Sequence, residues 1–189
     1  MKVLGISGSL RRDSHNTKLL REAGELFEAA GVEFENYPDL KLVPPYDEDD
    51  DVDPAPAAVM ELRAAVAGAD ALFFTTPEYN ASIPGQLKNA VDWLSRPAGS
   101  GALFGKPVAV IGASTGMFGA VWAQAELRKA LGTAGARVVD GEVAVGHAQT
   151  RFDENGRLND GNLLEQVAEV VRTLIGEADP ARAELASAA

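Results

Sequence analysis

The sequence predicts an α/β protein, a doubly wound parallel sheet of five strands with helices on both faces. Three observations carry this. Apolar runs and helical patterns alternate five times along the chain, as strands joined by crossover helices do. The length of 189 residues, with 46% hydrophobic and 24% charged residues, suits one domain with a large core. The loops rich in Gly, Ser and Asn follow the first, third and fourth predicted strands. They therefore gather at one sheet edge, where folds of this class bind ligands at the point of strand-order reversal.

Lys2 to Ser7 reads as a buried strand through Val3, Leu4 and Ile6. From Asn16 to Ala30, Leu19, Leu20, Ala23, Leu26 and Phe27 recur at helical spacing, and Gly31 closes the helix. Val32 to Tyr37 alternates weakly and is a second strand. Leu40 to Tyr46, with Pro44-Pro45, is expected to be a surface connection, and Asp47 to Asp53 a solvated acidic loop. Read as a calcium loop from Asp47, that run has Val52 where Gly belongs and Ala58 where Glu belongs. Pro54 and Pro56 introduce a helix from Ala57 to Ala67. Ala69 to Thr76 is a central strand, Pro84 to Ser95 a helix, Val108 to Ala113 a strand, and a helix follows to about Ala134. Arg137 to Val145 is the last strand, 152–158 a hairpin-like excursion around Asn155-Gly156, and Gly161 to Gly176 the final helix. One domain over 1–177 is expected, with 178–189 as a flexible tail.

Composition removes several classes of function. Without cysteine there is no disulfide, thiol nucleophile or thiolate metal site, so redox chemistry would need a cofactor. A formal net charge of −11 with no basic block disfavours nucleic acid. No signal-peptide layout precedes the first strand and no apolar stretch is long enough to span a bilayer, which points to a cytoplasmic protein without a membrane partner. The two histidines, His15 and His147, show no metal-site spacing, and no metal is expected.

The stretch from Ile6 to Thr17 has the makings of a phosphate cradle. Gly8 and Ser9 permit a sharp turn, and the hydroxyls of Ser9, Ser14 and Thr17, the Asn16 amide, Arg11 and Arg12 converge where a helix begins. A helix start already offers unpaired N–H groups and a partial positive charge. No G-x-x-x-x-G-K-[ST] or G-x-G-x-x-G occurs there, and hydroxyl and amide donors suit a terminal monophosphate better than a triphosphate with magnesium.

Gly8-Ser9-Leu10-Arg11 with Ser14 and Asn16, the block from Pro77 to Trp93, Gly105-Lys106-Pro107, and Ser114-Thr115-Gly116 with Ala123-Gln124 and Leu127-Arg128 together resemble the NADPH-dependent FMN reductase family. The resemblance covers the chain to about Gly176, and its second block is the most specific part. It implies a flavodoxin-like fold with strand order 2-1-3-4-5 and an oxidoreductase that takes hydride from NADPH or NADH onto bound FMN. A small quinone, azo compound, chromate or flavin would then accept the electrons. It implies cofactor contacts from Ser9, Leu10, Arg11, Ser14, His15 and Asn16 to the phosphate. Pro77, Glu78, Tyr79 and Asn80 would lie along the isoalloxazine ring, and Ser114, Thr115 and Gly116 at its pyrimidine side or the ribityl chain. Hydride transfer needs no protein base, so Glu78 reads as a loop acid and no catalytic side chain is named. Family members pair through the helices after the third and fourth strands, which implies a homodimer or homotetramer; the surplus of large apolar residues on those helices puts Trp93 and Trp122 at that interface, with the monomer core as the alternative. The family's usual Gly and Arg ahead of Ala-Gln are here replaced by Ala120 and Trp122. The alternative is a flavodoxin-like electron carrier without nicotinamide turnover.

Overall fold

The computed structural model describes residues 1–179. Strands β1 (Lys2–Ser7), β2 (Glu33–Asn36), β3 (Ala71–Thr76), β4 (Pro107–Ala113), β5 (Arg137–Val138) and β6 (Ala144–Val145) form one parallel sheet. Its order is β2-β1-β3-β4-β5, with β6 also on β4, so the fold is flavodoxin-like. Helices α1 (His15–Ala29), α2 (Ala57–Ala67), α3 (Gly85–Leu94), α4 (Val121–Thr133) and α5 (Gly161–Ala178) flank it.

The side-chain period of two divides the central strands between two cores. Leu72 and Phe74 of β3, with Val108 and Val110 of β4, pack under α2, α3 and α4. Ala71 and Phe73, with Ala109 and Ile111, face the other way toward α1 and α5. Both faces are covered, which is why these strands read as continuous apolar runs.

The predicted fifth strand is corrected: 137–145 is two short pieces. Between them Gly141 takes φ +126, and the carbonyls of Val139 and Gly141 turn to the Arg128 guanidinium of α4. Arg128 also bonds Val110 O at 2.7 Å, so the middle of the predicted strand gives its acceptors to a helix side chain. The connection after β2 is not a simple surface run. Leu40 and Val43 are buried, and α3 holds the segment by its carbonyls through Gln86 (Leu40 O 2.7 Å, Val43 O 2.8 Å) and Asn89 (Pro44 O 2.6 Å). Trp93 completes the same helix face, with Nε1 donating to Pro44 O at 2.9 Å. These three side chains satisfy polar backbone that would otherwise be buried unpaired. α5 runs two residues past the expected Gly176, and 180–189 of the predicted tail lie outside the described residues.

Candidate functional site

Strand order reverses between β1 and β3, and a cleft of about 130 Å³ opens there, beyond the carboxyl ends of β1, β3 and β4. Its first wall is the β1–α1 loop. Gly8 donates to Thr75 O at 2.8 Å, and a Cβ there would lie 2.6 Å from Leu87 Cδ2, so any larger residue would have to displace the Leu87 side chain of α3. Ser14 caps α1: its Oγ accepts from the N–H groups of Asn16 (3.1 Å) and Thr17 (3.2 Å), leaving its own proton to give outward. The N–H groups of Arg12, Asp13 and His15 have no partner among the described residues. Arg11 reaches the carbonyl of Asp13, and Asp13 pairs with Lys18 at 2.6 Å. That ion pair holds the Asp13 carboxyl below its usual range, the Lys18 hydrogen bond being the main cause. A donor-rich rim with few acceptors fits a phosphate group.

The other two walls are the loops after β3 and β4. Tyr79 and Ser82 exchange backbone hydrogen bonds (3.0 and 3.1 Å) across Asn80 and Ala81, both at positive φ, as a tight hairpin turn of the I′ kind requires. The Glu78 carboxylate accepts from the N–H groups of Trp122 (3.0 Å) and Ala123 (3.1 Å) at the start of α4. α4 has no cap of its own: its N-cap residue is Ala120, in the left-handed region, which offers no side-chain cap, and Gln124 of the helix reaches back only to the Gly119 carbonyl. Ser114, Thr115 and Ala113 complete the cleft.

The structure brings together Ser9, Arg11, Ser14, His15, Asn16, Pro77, Glu78, Tyr79, Ser114 and Thr115 as cleft lining. Leu10, Asn80 and Gly116 do not line it: Leu10 points to solvent, Asn80 forms the turn, and Gly116 donates to Ser114 Oγ at 3.1 Å. The Asn16 side chain is directed inward. Its Nδ2 donates to Ala113 O (2.9 Å) and its Oδ1 accepts from Ala113 N–H (3.0 Å), so the amide joins two walls, while its backbone N–H is already given to Ser14 Oγ. Ala113 itself was not foreseen in the cleft; its place at the carboxyl end of β4 was the available signal.

His15 stacks on Phe152 of the 152–158 hairpin, with centroids 5.7 Å apart and planes 15° from parallel. Burial pushes its pKa down, helped by Lys18 and Arg11 and opposed by Asp13. The hairpin is pinned to α1 by Arg21, which donates to the carbonyls of Asn155 and Gly156, and by Arg157 on Glu22 (2.8 Å) and Glu25.

A larger groove of about 510 Å³ runs between α3 and α4, lined in part by Ser82, Val91, Asp92, Glu126 and Ala130. Lys88, Arg96 and Lys129 also line it, interleaved with the acids Asp92 and Glu126. Near the α4 start Met117, Phe118 and Trp122 are exposed, with Phe118 edge-on to Trp122 at 5.0 Å. Trp93 is fully buried, which corrects its expected place at an interface: its indole is consumed by Pro44, Tyr46 and Arg63.

Residues 1–150 match the family model of NADPH-dependent FMN reductases. An NAD(P)H-dependent FMN reductase of Pseudomonas aeruginosa is 43% identical over 175 residues, covering 92% of this chain and 93% of its own. A 2-hydroxy-1,4-benzoquinone reductase of a Burkholderia species is 39% identical, covering 84% and 85%. Among solved structures, the flavoenzyme NAD(P)H:(acceptor) oxidoreductase FerB of Paracoccus denitrificans superposes with a TM-score of 0.82 at 33% identity, covering 95% and 97%.

Proposed function

Because the chain belongs to the NADPH-dependent FMN reductase family and is an NAD(P)H-dependent FMN oxidoreductase, we propose that the cleft between β1 and β3 is where its flavin binds. The electron-carrier alternative is set aside by that membership. When bound, FMN supplies hydride acceptance from NAD(P)H and electron delivery to the second substrate. The observation that carries the assignment is the set of unpartnered N–H groups at the start of α1, beside the outward hydroxyl proton of Ser14 and the Arg11 guanidinium. These groups bind and orient the phosphate without reorganising. Pro77 and the small residues Ser114 and Thr115 leave a flat approach for the ring. Asn16 fixes the spacing of the phosphate wall and the β4 wall.

The acceptor class favoured is a small quinone. The support is the name borne by the Burkholderia relative and the exposed aromatic rim of Tyr79, Phe118 and Trp122 beside the cleft. The cleft's volume of about 130 Å³ is well below the roughly 300–1,000 Å³ of an enclosing ligand pocket, so the ring would stand partly proud of one chain. A second copy seated on the α3–α4 groove and on Trp122 would cover it, which favours a homodimer or a dimer of dimers. Among the described residues no helix is long and apolar enough to cross a membrane, and a nicotinamide-dependent reaction suits the cytoplasm. Titration of apoprotein with FMN and with riboflavin, followed by flavin fluorescence, tests the site. Tighter binding of FMN is expected, and equal affinity for the two would remove the phosphate cradle.

A further inference from the structure

We propose that Glu78 is a positioning residue that ties the two ring-side loops together and sets the reduction potential of the flavin by spending its charge on the N-terminus of α4. The inference rests on the reading that the cleft holds FMN. Glu78 belongs to the loop after β3, while the N–H groups it accepts from, those of Trp122 and Ala123, open the helix after β4. The contact is therefore a clamp between elements 44 and 45 residues apart in sequence. α4 depends on it, since Ala120 brings no cap and the first turn of the helix holds no acid. The loop depends on it too, since Ser82 at its far end reaches Glu126 of the same helix, so the 78–82 turn is held to α4 at both ends.

The electrostatic consequence follows from the direction of the helix. α4 follows a parallel strand, so its N-terminus, equivalent to roughly half a positive charge, points to the cleft edge of the sheet. Uncapped, that end would favour negative charge on a neighbouring ring, and hence the reduced flavin. Glu78 lies between α4 and the cleft, lining the one and bonded to the other. Its carboxylate offsets the helix charge and keeps the flavin from being over-stabilised after hydride uptake, which favours onward transfer to the acceptor. The cost is a smaller driving force for the first half-reaction.

Glu78→Gln keeps an oxygen for the two N–H groups and removes the charge. FMN affinity should stay within roughly threefold of wild type, while the midpoint potential of the bound flavin, measured by dye equilibration, moves to a more positive value. In pre-steady-state traces reduction by NAD(P)H should quicken and reoxidation by a benzoquinone slow. Glu78→Asp keeps the charge but lacks the reach, so FMN should bind at least about fivefold more weakly with the potential near wild type. A Glu78→Gln holoprotein with the wild-type potential overturns the inference, as does a Glu78→Asp holoprotein whose potential rises as far as that expected for Gln. Wild-type apoprotein that takes up no FMN overturns the flavin reading itself, and is told apart by that first measurement.

Discussion

The side chain of Asn16 pairs with the backbone of Ala113 at both of its ends, donating to the carbonyl at 2.9 Å and accepting from the N–H at 3.0 Å, in a site closed to solvent. One residue at the start of α1 thus completes the hydrogen bonding of the last residue of β4. Asn16→Ala leaves that N–H and carbonyl buried and unpaired, and stability should fall by about 2–4 kcal/mol in urea unfolding. Its effect on ligands should be even-handed: FMN and riboflavin lose affinity together, because spacing is lost and not a phosphate donor.

Arg11→Ala should behave in the opposite way. The Arg11 side chain is exposed and, among the described residues, bonds the carbonyl of Asp13 alone, so its removal costs the fold little. A charge-assisted hydrogen bond to phosphate is worth about 1.5–3 kcal/mol, so FMN should bind roughly ten- to a hundredfold more weakly. Calorimetry with riboflavin should show no comparable change.

The two tryptophans should separate association from folding. Trp122 is about half exposed beside Phe118, and Trp122→Glu should shift the species seen by light scattering from dimer to monomer while the unfolding midpoint holds. Trp93→Glu puts a carboxylate into a closed site and should cost more than about 3 kcal/mol whatever the oligomeric state. A monomeric wild type with full turnover would remove the dimer.

His15 gives the apoprotein a pH dependence of known sign. Its pKa is lowered in the folded state, mainly by burial, so between that value and the unfolded one the unfolded chain binds more protons. Its contribution to stability is complete above the unfolded value near 6.5 and is lost as pH falls through the window below it. His15→Phe should flatten apoprotein stability over that window, and NMR titration of the imidazole should give a midpoint below that of an unfolded peptide.

Much of this architecture was legible because its determinants are local. β1, β3 and β4 are apolar on both faces, and a strand buried on both sides declares itself without knowledge of its neighbours. The same holds for the Asn155-Gly156 turn, where Gly156 does take a positive φ. The break in 137–145 was not legible, because its cause is Arg128, a side chain of the preceding helix. Asn16 was read as a phosphate donor from its position, whereas its amide is committed to a residue 97 positions away. For Glu78 a signal did exist: a helix beginning at Gly119-Ala120-Val121 has no capping side chain of its own, and the nearest acid at that edge lies in the neighbouring loop. Exposed Tyr79 and Trp122 could be told from buried Trp93 only once the helices had been oriented.

The family model and the fold end at different residues in this chain. The family match stops at residue 150, yet Val167, Val170, Val171 and Leu174 of α5 close the sheet face that α1 leaves open. A fragment cut at residue 150 would keep every residue of the cleft and bare Ala109, Ile111 and Val145 to water. Such a fragment would carry the recognisable signature of a flavin enzyme and precipitate, so gene fusions and split reporters on this scaffold should place their junctions beyond Ala178.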